Sequence, residues 1–145
     1  YHAGVYRLIC DLNRLYSTVP ALHRGDFSAS GFDWIDCHDS DQYVISFRRS
    51  SGDGVVVIVC NFTPVPRYDY RIGVPRSGFY QEVLNSDAGL YGGSGVGNLG
   101  GQTARDETWM GEPAMLSLTL PPLGAIYLEL KENGNGVDED SSGRR

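Results

Sequence analysis

Val55-Val-Val-Ile-Val-Cys-Asn-Phe-Thr-Pro-Val-Pro-Arg-Tyr-Asp-Tyr-Arg-Ile-Gly-Val-Pro75 is the stretch that decides the fold. Its first five residues are all β-branched and show no polar alternation. A strand with one wet face alternates with period two, so an unbroken apolar run predicts a strand covered on both faces. The run is too short for a full helix, and β-branched side chains suit a pleated surface better. Pro64 and Pro66 fix φ and cannot donate to a ladder, so the strand stops before them. Tyr70, Ile72 and Val74 then alternate with Arg71, Gly73 and Pro75, the mark of a returning strand with one buried face. The stretch therefore reads as buried strand, proline corner and return.

Upstream, Val5, Leu8, Ile9, Leu12, Leu15 and Tyr16 recur at helical spacing opposite Arg7, Asp11 and Arg14, predicting one amphipathic helix that ends before Pro20. Residues 21–31 are rich in Gly, Ser and Asp and read as a connector. From Phe32 the pattern is short strands with turns between them. The strands are Phe32 to Cys37, Tyr43 to Arg48, the Val55 strand and its return, Phe79 to Leu84, and Thr103 to Trp109. Leu116, Leu118 and Leu120 then turn through Pro121-Pro-Leu-Gly124 into Ile126, Leu128 and Leu130. Such a series over residues 32–131 predicts a mainly β protein, an antiparallel Greek-key β-sandwich preceded by one helix. Residues 132–145 have no apolar anchor beyond Val137 and read as a disordered tail.

The totals narrow the function. In 145 residues, 41% hydrophobic and 21% charged, there is enough chain for one core. A net charge of −6 argues against nucleic acid or an anionic membrane as partner. No apolar run approaches the roughly 20 residues of a membrane span. The first residues lack both a secretory pattern and an initiating Met, as expected of a piece of something longer. Cys10, Cys37 and Cys60 form no C-x-x-C pair; they read as reduced core thiols of a cytoplasmic protein, with no metal site and no cofactor implied.

Gly95, Gly97 and Gly100 match G-x-G-x-x-G, but no helical apolar face follows them, so a glycine-shaped loop is the better reading. Asn61-Phe-Thr63 is a sequon at the end of a buried strand, where a structural role is expected. Only His38 of the three histidines has acidic neighbours, Asp36, Asp39 and Asp41, a pattern better suited to a solvated turn than to a metal site. Glycosyl transfer needs two carboxyls flanking a bond. Nothing in the spacing of Glu82, Asp87, Asp106 and Glu107 forces two of them together, so no catalytic residue is assigned. The aromatic set includes Trp34, Tyr68, Tyr70, Phe79, Tyr80, Tyr91 and Trp109. Most should fill the core; Tyr91 and Trp109, which flank the glycine-rich stretch, are the candidates for carbohydrate binding.

Taken in order, these segments resemble the C-terminal end of bacterial 1,4-α-glucan branching enzymes of the amylase clan. The match is carried by His2-Ala-Gly-Val5, Asp11-Leu-Asn13, Asp26-Phe27, Gly31-Phe32 with Trp34, Asn61-Phe-Thr-Pro-Val-Pro-Arg67, Glu82-Val-Leu-Asn85, the glycine loop from Tyr91 to Gly101, and Leu116-Ser-Leu-Thr-Leu-Pro-Pro-Leu123. The resemblance implies that residues 1–20 are the last helix of a truncated (β/α)8 catalytic barrel and that residues 32–131 are the amylase-type C-terminal all-β domain. It also implies retaining transfer of an α-1,4-glucan to a 6-hydroxyl, on carboxylates that lie outside this sequence. The partners so implied are α-glucan, through the parent enzyme, and the missing barrel. An autonomous carbohydrate-binding sandwich, or the C-terminal domain of a debranching or other amylase-clan enzyme, are the alternatives.

Overall fold

The computed structural model describes residues 2–132, so the tail expected over 132–145 lies, apart from Glu132, outside the described residues. Helix α1 spans His2–Thr18 and stops before Pro20 as the spacing predicts. The eight strands that follow are β1 (Phe32–Asp39), β2 (Val44–Ser51), β3 (Gly54–Asn61), β4 (Arg67–Val74), β5 (Gly78–Asn85), β6 (Gly101–Ala104), β7 (Ala114–Leu120) and β8 (Gly124–Lys131). Six of them form one antiparallel sheet in the order β1-β2-β3-β8-β5-β6, and β4 pairs with β7 in a second. The chain crosses between sheets after β3, β4, β6 and β7, so β8 returns to lie between β3 and β5. This is the two-sheet antiparallel sandwich with non-local pairing that the sequence predicts.

Strand β3 is covered on both faces. Val55, Val57 and Val59 point into the core between the sheets, against Ile72 and Val74 of β4, Leu116 and Leu118 of β7, and Ile126 and Leu128 of β8. Val56 and Ile58 point the other way and pack with Ala21 and Leu22, bordered by Leu15, Val19, Phe47 and Tyr127. Burial of each such side chain is worth about 1.5–3 kcal/mol. Two apolar clusters meeting on one strand explain why the sequence there has no polar position.

The proline corner is held by Asn61. Its Nδ2 donates to the carbonyls of Val65 (2.8 Å) and Pro121 (3.0 Å), and its Oδ1 accepts from the backbone N–H (3.0 Å) and hydroxyl (2.8 Å) of Thr63. Leu123 N–H donates to Thr63 O as well (2.8 Å). The two most specific segments of the sequence, Asn61–Arg67 and Leu116–Leu123, are thus bonded to each other in space. With its amide buried and fully engaged, Asn61 has the structural role expected of it and is no site for a glycan.

The structure departs from the sequence reading in four places. The named aromatic residues do not mostly fill the core: Tyr70 and Tyr80 are buried, whereas Trp34, Tyr68 and Phe79 are exposed. The connector is not featureless: Pro20 opens a helical turn, α2 (Pro20–His23), whose Ala21 and Leu22 are buried against β3. Proline is favoured at that first helical position because its missing N–H has no partner there anyway. The strand expected over Thr103 to Trp109 ends at Ala104; only Arg105 continues, bridging Met115, and Trp109 sits in a turn closed on Glu112. Gly111 and Pro113 explain the break. Finally, Cys37 is exposed, not a core thiol, because β1 carries bulges on either side of Asp36 that rotate its residues outward.

Candidate functional site

The glycine-rich stretch between β5 and β6 is built around side chains that replace missing ladder bonds. Asp87 accepts from the backbone N–H groups of Ser94 (3.0 Å) and Val96 (3.3 Å), and Asn85 donates to Val96 O (2.8 Å). Asn98 is buried, donating from Nδ2 to Glu82 Oε2 (2.8 Å) and to Thr119 O (3.0 Å). Gly95 and Gly100 have φ of +81° and +100°, which L side chains rarely adopt. The stretch leads into β6 and not into a helix, so the nucleotide reading of its glycines is excluded. Glu82 and Asp87 are consumed by the loop itself, while Asp106 and Glu107 are exposed on the β6–β7 connection.

Tyr91 lies in a short helical turn, Gly89–Tyr91, that packs on α1. Its hydroxyl donates to Asp11 Oδ2 (2.6 Å), Arg7 reaches Leu90 O (3.4 Å), and Gly4 leaves room for the Tyr91 carbonyl. Burial, then the bond to Asp11, push its hydroxyl up to about 12 from 10.0. A folded-state value above the unfolded one means the joint stabilises fully below pH 10 and weakens as pH rises towards 12. A step in protease sensitivity of α1 is therefore expected in that window. Tyr91→Phe should abolish the step, and its persistence in that variant would show that another tyrosine is responsible.

Trp109 is elsewhere, on the β6–β7 connection over β4. The Arg71 guanidinium lies 5.6 Å from its ring centroid, and Gly73 lets its carbonyl approach the strand. Beside it opens a cleft of about 290 Å³ lined by Asp36, Asp39, Gln42, Tyr68, Asp69, Tyr70, Arg71 and Met110. Tyr70 donates to Asp39 Oδ2 (2.6 Å); burial first, then Asp39, raise its hydroxyl well above the usual value. Ser117 and Arg71 hold Asp69 below the ordinary carboxylate range. The two aromatic residues singled out in the sequence are therefore not neighbours in one site: one joins a loop to α1, the other borders a cleft. The bulge between Arg67 and Tyr70 and the two bulges of β1 direct the cleft's residues, so no regular alternation marks them.

A second surface is apolar. Phe32, Trp34 and Phe47 form an aromatic group with ring centroids 5.0 to 6.0 Å apart on the outer face of the large sheet. Helix α1 meets the same face through Leu15 but buries none of its residues fully, and Val5, Ile9 and Tyr16 are at least half exposed (59%, 50% and 50%). Among the described residues no helix is long and apolar enough to cross a membrane, and no three His, Cys, Asp or Glu side chains are grouped to hold a metal.

The two-sheet antiparallel sandwich is also found in solved structures. One is the cyclomaltodextrin glucanotransferase CldA, with TM-score 0.60 and 19% identity over 89% of this chain and 22% of that one. A mutant of MutB in complex with glucose is another, with TM-score 0.52 and 19% identity over 88% of this chain and 18% of that one. Identities this low show the fold alone. Residues 34–131 match the model of the alpha amylase C-terminal all-beta domain, and the chain belongs to that family. Its curated relatives include the 1,4-alpha-glucan branching enzyme GlgB of Aquifex aeolicus (strain VF5), 55% identical over 130 residues, 88% of this chain and 21% of that protein. GlgB of Burkholderia thailandensis is 60% identical over 126 residues, 86% of this chain and 15% of that protein. The chain thus spans about a fifth or less of the length of these relatives.

Proposed function

We propose that the chain is the C-terminal part of a glycogen branching enzyme and does no chemistry by itself. The observation that carries this reading is the 55% identity to a 1,4-alpha-glucan branching enzyme over 130 residues. In this reading the parent protein breaks an α-1,4 bond of a glucan by retaining double displacement and passes the glycosyl unit to a 6-hydroxyl, on carboxylates carried by its barrel. Residues 1–20 are the last helix of that (β/α)8 barrel, residues 21–31 the connector and residues 32–131 the C-terminal domain. The half-exposed Val5, Ile9 and Tyr16 of α1 support the assignment, since an amphipathic helix needs cover for its apolar face. A free-standing binding module would have no use for that stripe. The exposed thiol of Cys37 suits a reducing compartment, here the cytoplasm. The domain's part is to cover the barrel flank and help hold the α-glucan, with Trp109 the contact residue and Tyr91, its hydroxyl bound to Asp11, holding α1 in place.

The test is amylose stained with iodine. The purified chain should leave the absorbance unchanged, whereas the parent protein should lower it and lose that activity when residues 32–131 are deleted. A fall in absorbance with the chain alone would overturn the reading.

A further inference from the structure

Residues 21–31 have the composition of a hinge, with small residues that absorb changes of φ and ψ. We propose instead that Asp26 is a positioning residue that fastens the end of α1 to β2, so that this connector is a strut and α1 moves with the β domain as one body. The Asp26 carboxylate is held from two sides. Its Oδ2 accepts from the hydroxyl of Tyr16, in the last turn of α1, and its Oδ1 accepts from the guanidinium of Arg49 on β2. Arg49 is engaged twice, since its Nε donates to Gly31 O (2.9 Å) where the connector enters β1. The backbone of Arg49 is fixed within the sheet, paired with Phe32 on one side and Val56 on the other. An isolated exposed ion pair contributes little to stability. Here the Arg49 and Asp26 side chains are only 19% and 25% exposed, and two edges of the guanidinium are filled, the arrangement in which such bonds are strong and directional.

The connector has no slack. Its turns close in series: the N–H groups of Arg24, Asp26, Ser28 and Gly31 donate to Pro20 O (2.9 Å), His23 O (3.2 Å), Gly25 O (3.0 Å) and Ser28 O (3.1 Å). His23 Nδ1 donates back to Tyr16 O (2.7 Å), at the end of α1. Gly25 and Gly31 cross backbone against backbone, and a Cβ on Gly31 would fall on the Gly25 carbonyl. These glycines serve close approach and not freedom. Beneath them Ala21 and Leu22 pack on Val56 and Ile58 of β3. Nearer its start, α1 is tied through Arg7 to Leu90 O (3.4 Å) and through Asp11 to Tyr91 (2.6 Å). A helix fastened at two separated points cannot swing on its connector. The inference goes beyond the branching-enzyme reading; within that reading, it puts the seam between barrel and domain on the far side of α1 and not in residues 21–31.

The experiment measures nitrogen–proton dipolar couplings of the 145-residue chain in a weakly aligned sample, together with amide exchange. In the unaltered chain, couplings from α1 and from the strands should fit one alignment tensor. In Asp26→Ala the α1 couplings should shrink against those of the sheet by about a factor of two, and amide protection over residues 24–31 should fall roughly tenfold, while β3 and β8 keep both. Tyr16→Phe removes one arm and leaves the ion pair, so α1 should loosen less and the connector should stay protected. Asp26→Asn, which keeps an acceptor but loses the charge, should lie between the two. Asp26→Ala combined with Tyr91→Phe should free α1 altogether. Unchanged α1 couplings in Asp26→Ala, or two separate tensors already in the unaltered chain, would overturn the proposal. So would a loss of protection in Asp26→Ala that reaches β3 and β8 equally, which is what a purely structural role gives. The iodine assay reads branching alone and the couplings read the joint alone, so the failure of one leaves the other standing.

Discussion

Asn98→Ala is expected to destabilise the domain by on the order of 3–5 kcal/mol and to free the loop between β5 and β6. The reason lies in what the side chain replaces. Strand β7 is bonded along one edge to β4; along the other, Met115 exchanges both backbone bonds with Arg105, and Thr119 has no strand beside it. Asn98 takes that place: its Oδ1 accepts from Thr119 N–H (2.8 Å) and its Nδ2 donates to Thr119 O (3.0 Å), as a strand residue would. Truncation strands a donor and an acceptor on β7 and leaves Glu82 Oε2 without one of its donors, at about 1–3 kcal/mol for each buried group left unpaired. Asn98→Asp is a sharper probe. At neutral pH its carboxylate would face Glu82 and be as damaging, but a protonated carboxyl can donate, so part of the loss should return in mild acid. Chemical denaturation of the three proteins at two pH values gives the comparison. A change below about 1 kcal/mol in Asn98→Ala would mean that water takes over these bonds.

The strength of that prediction reflects how unevenly the sequence discloses the structure. Where a segment's environment is set by apolar contact, periodicity carries it. The unbroken run Val55–Val59 has covered faces on both sides, and Leu116, Leu118 and Leu120 all point into the core. Periodicity fails where side-chain polar bonds or bulges do the work. Asn98 looks like any loop asparagine in the sequence, yet it is 3% exposed and finishes the edge of a strand. Trp109 was legible as a residue to watch, but its neighbours were not. Asp36 and Tyr68 come from strands in different sheets, brought together by bulges that no two-residue pattern encodes. Tyr91 shows the reverse case: its place beside the glycines suggested a binding ring, and its hydroxyl is committed to Asp11 across 80 residues of sequence. Long-range pairing of that kind is set by the fold.

Gly73→Val should separate the sheet core from the cleft, because the clash it makes is confined to one side of β4. Gly73 pairs with Met115 and has no positive φ, so the strand backbone itself accepts a β-branched residue. What it cannot accept is the atom: a Cβ there would land on the carbonyl oxygen of Trp109, well inside contact distance, and 3.0 Å from Glu112 Cβ. The obstructing atom is backbone, so no rotamer change relieves it. The turn from Trp109 to Glu112 has to lift, which breaks the pair between Glu112 and Arg48 (2.8 Å) and takes the indole off Arg71. Overpacking of this sort costs on the order of 1–3 kcal/mol. Ile72 and Val74, fully buried on the opposite side, keep their contacts, so the β signal in circular dichroism should persist. In a Trp34→Phe background, which leaves Trp109 as the reporter, its emission should shift to the red, and any maltoheptaose binding through Trp109 should weaken. An unchanged emission spectrum would show that the turn does not rest on Gly73. Binding of unchanged strength with shifted emission would remove Trp109 as the glucan contact.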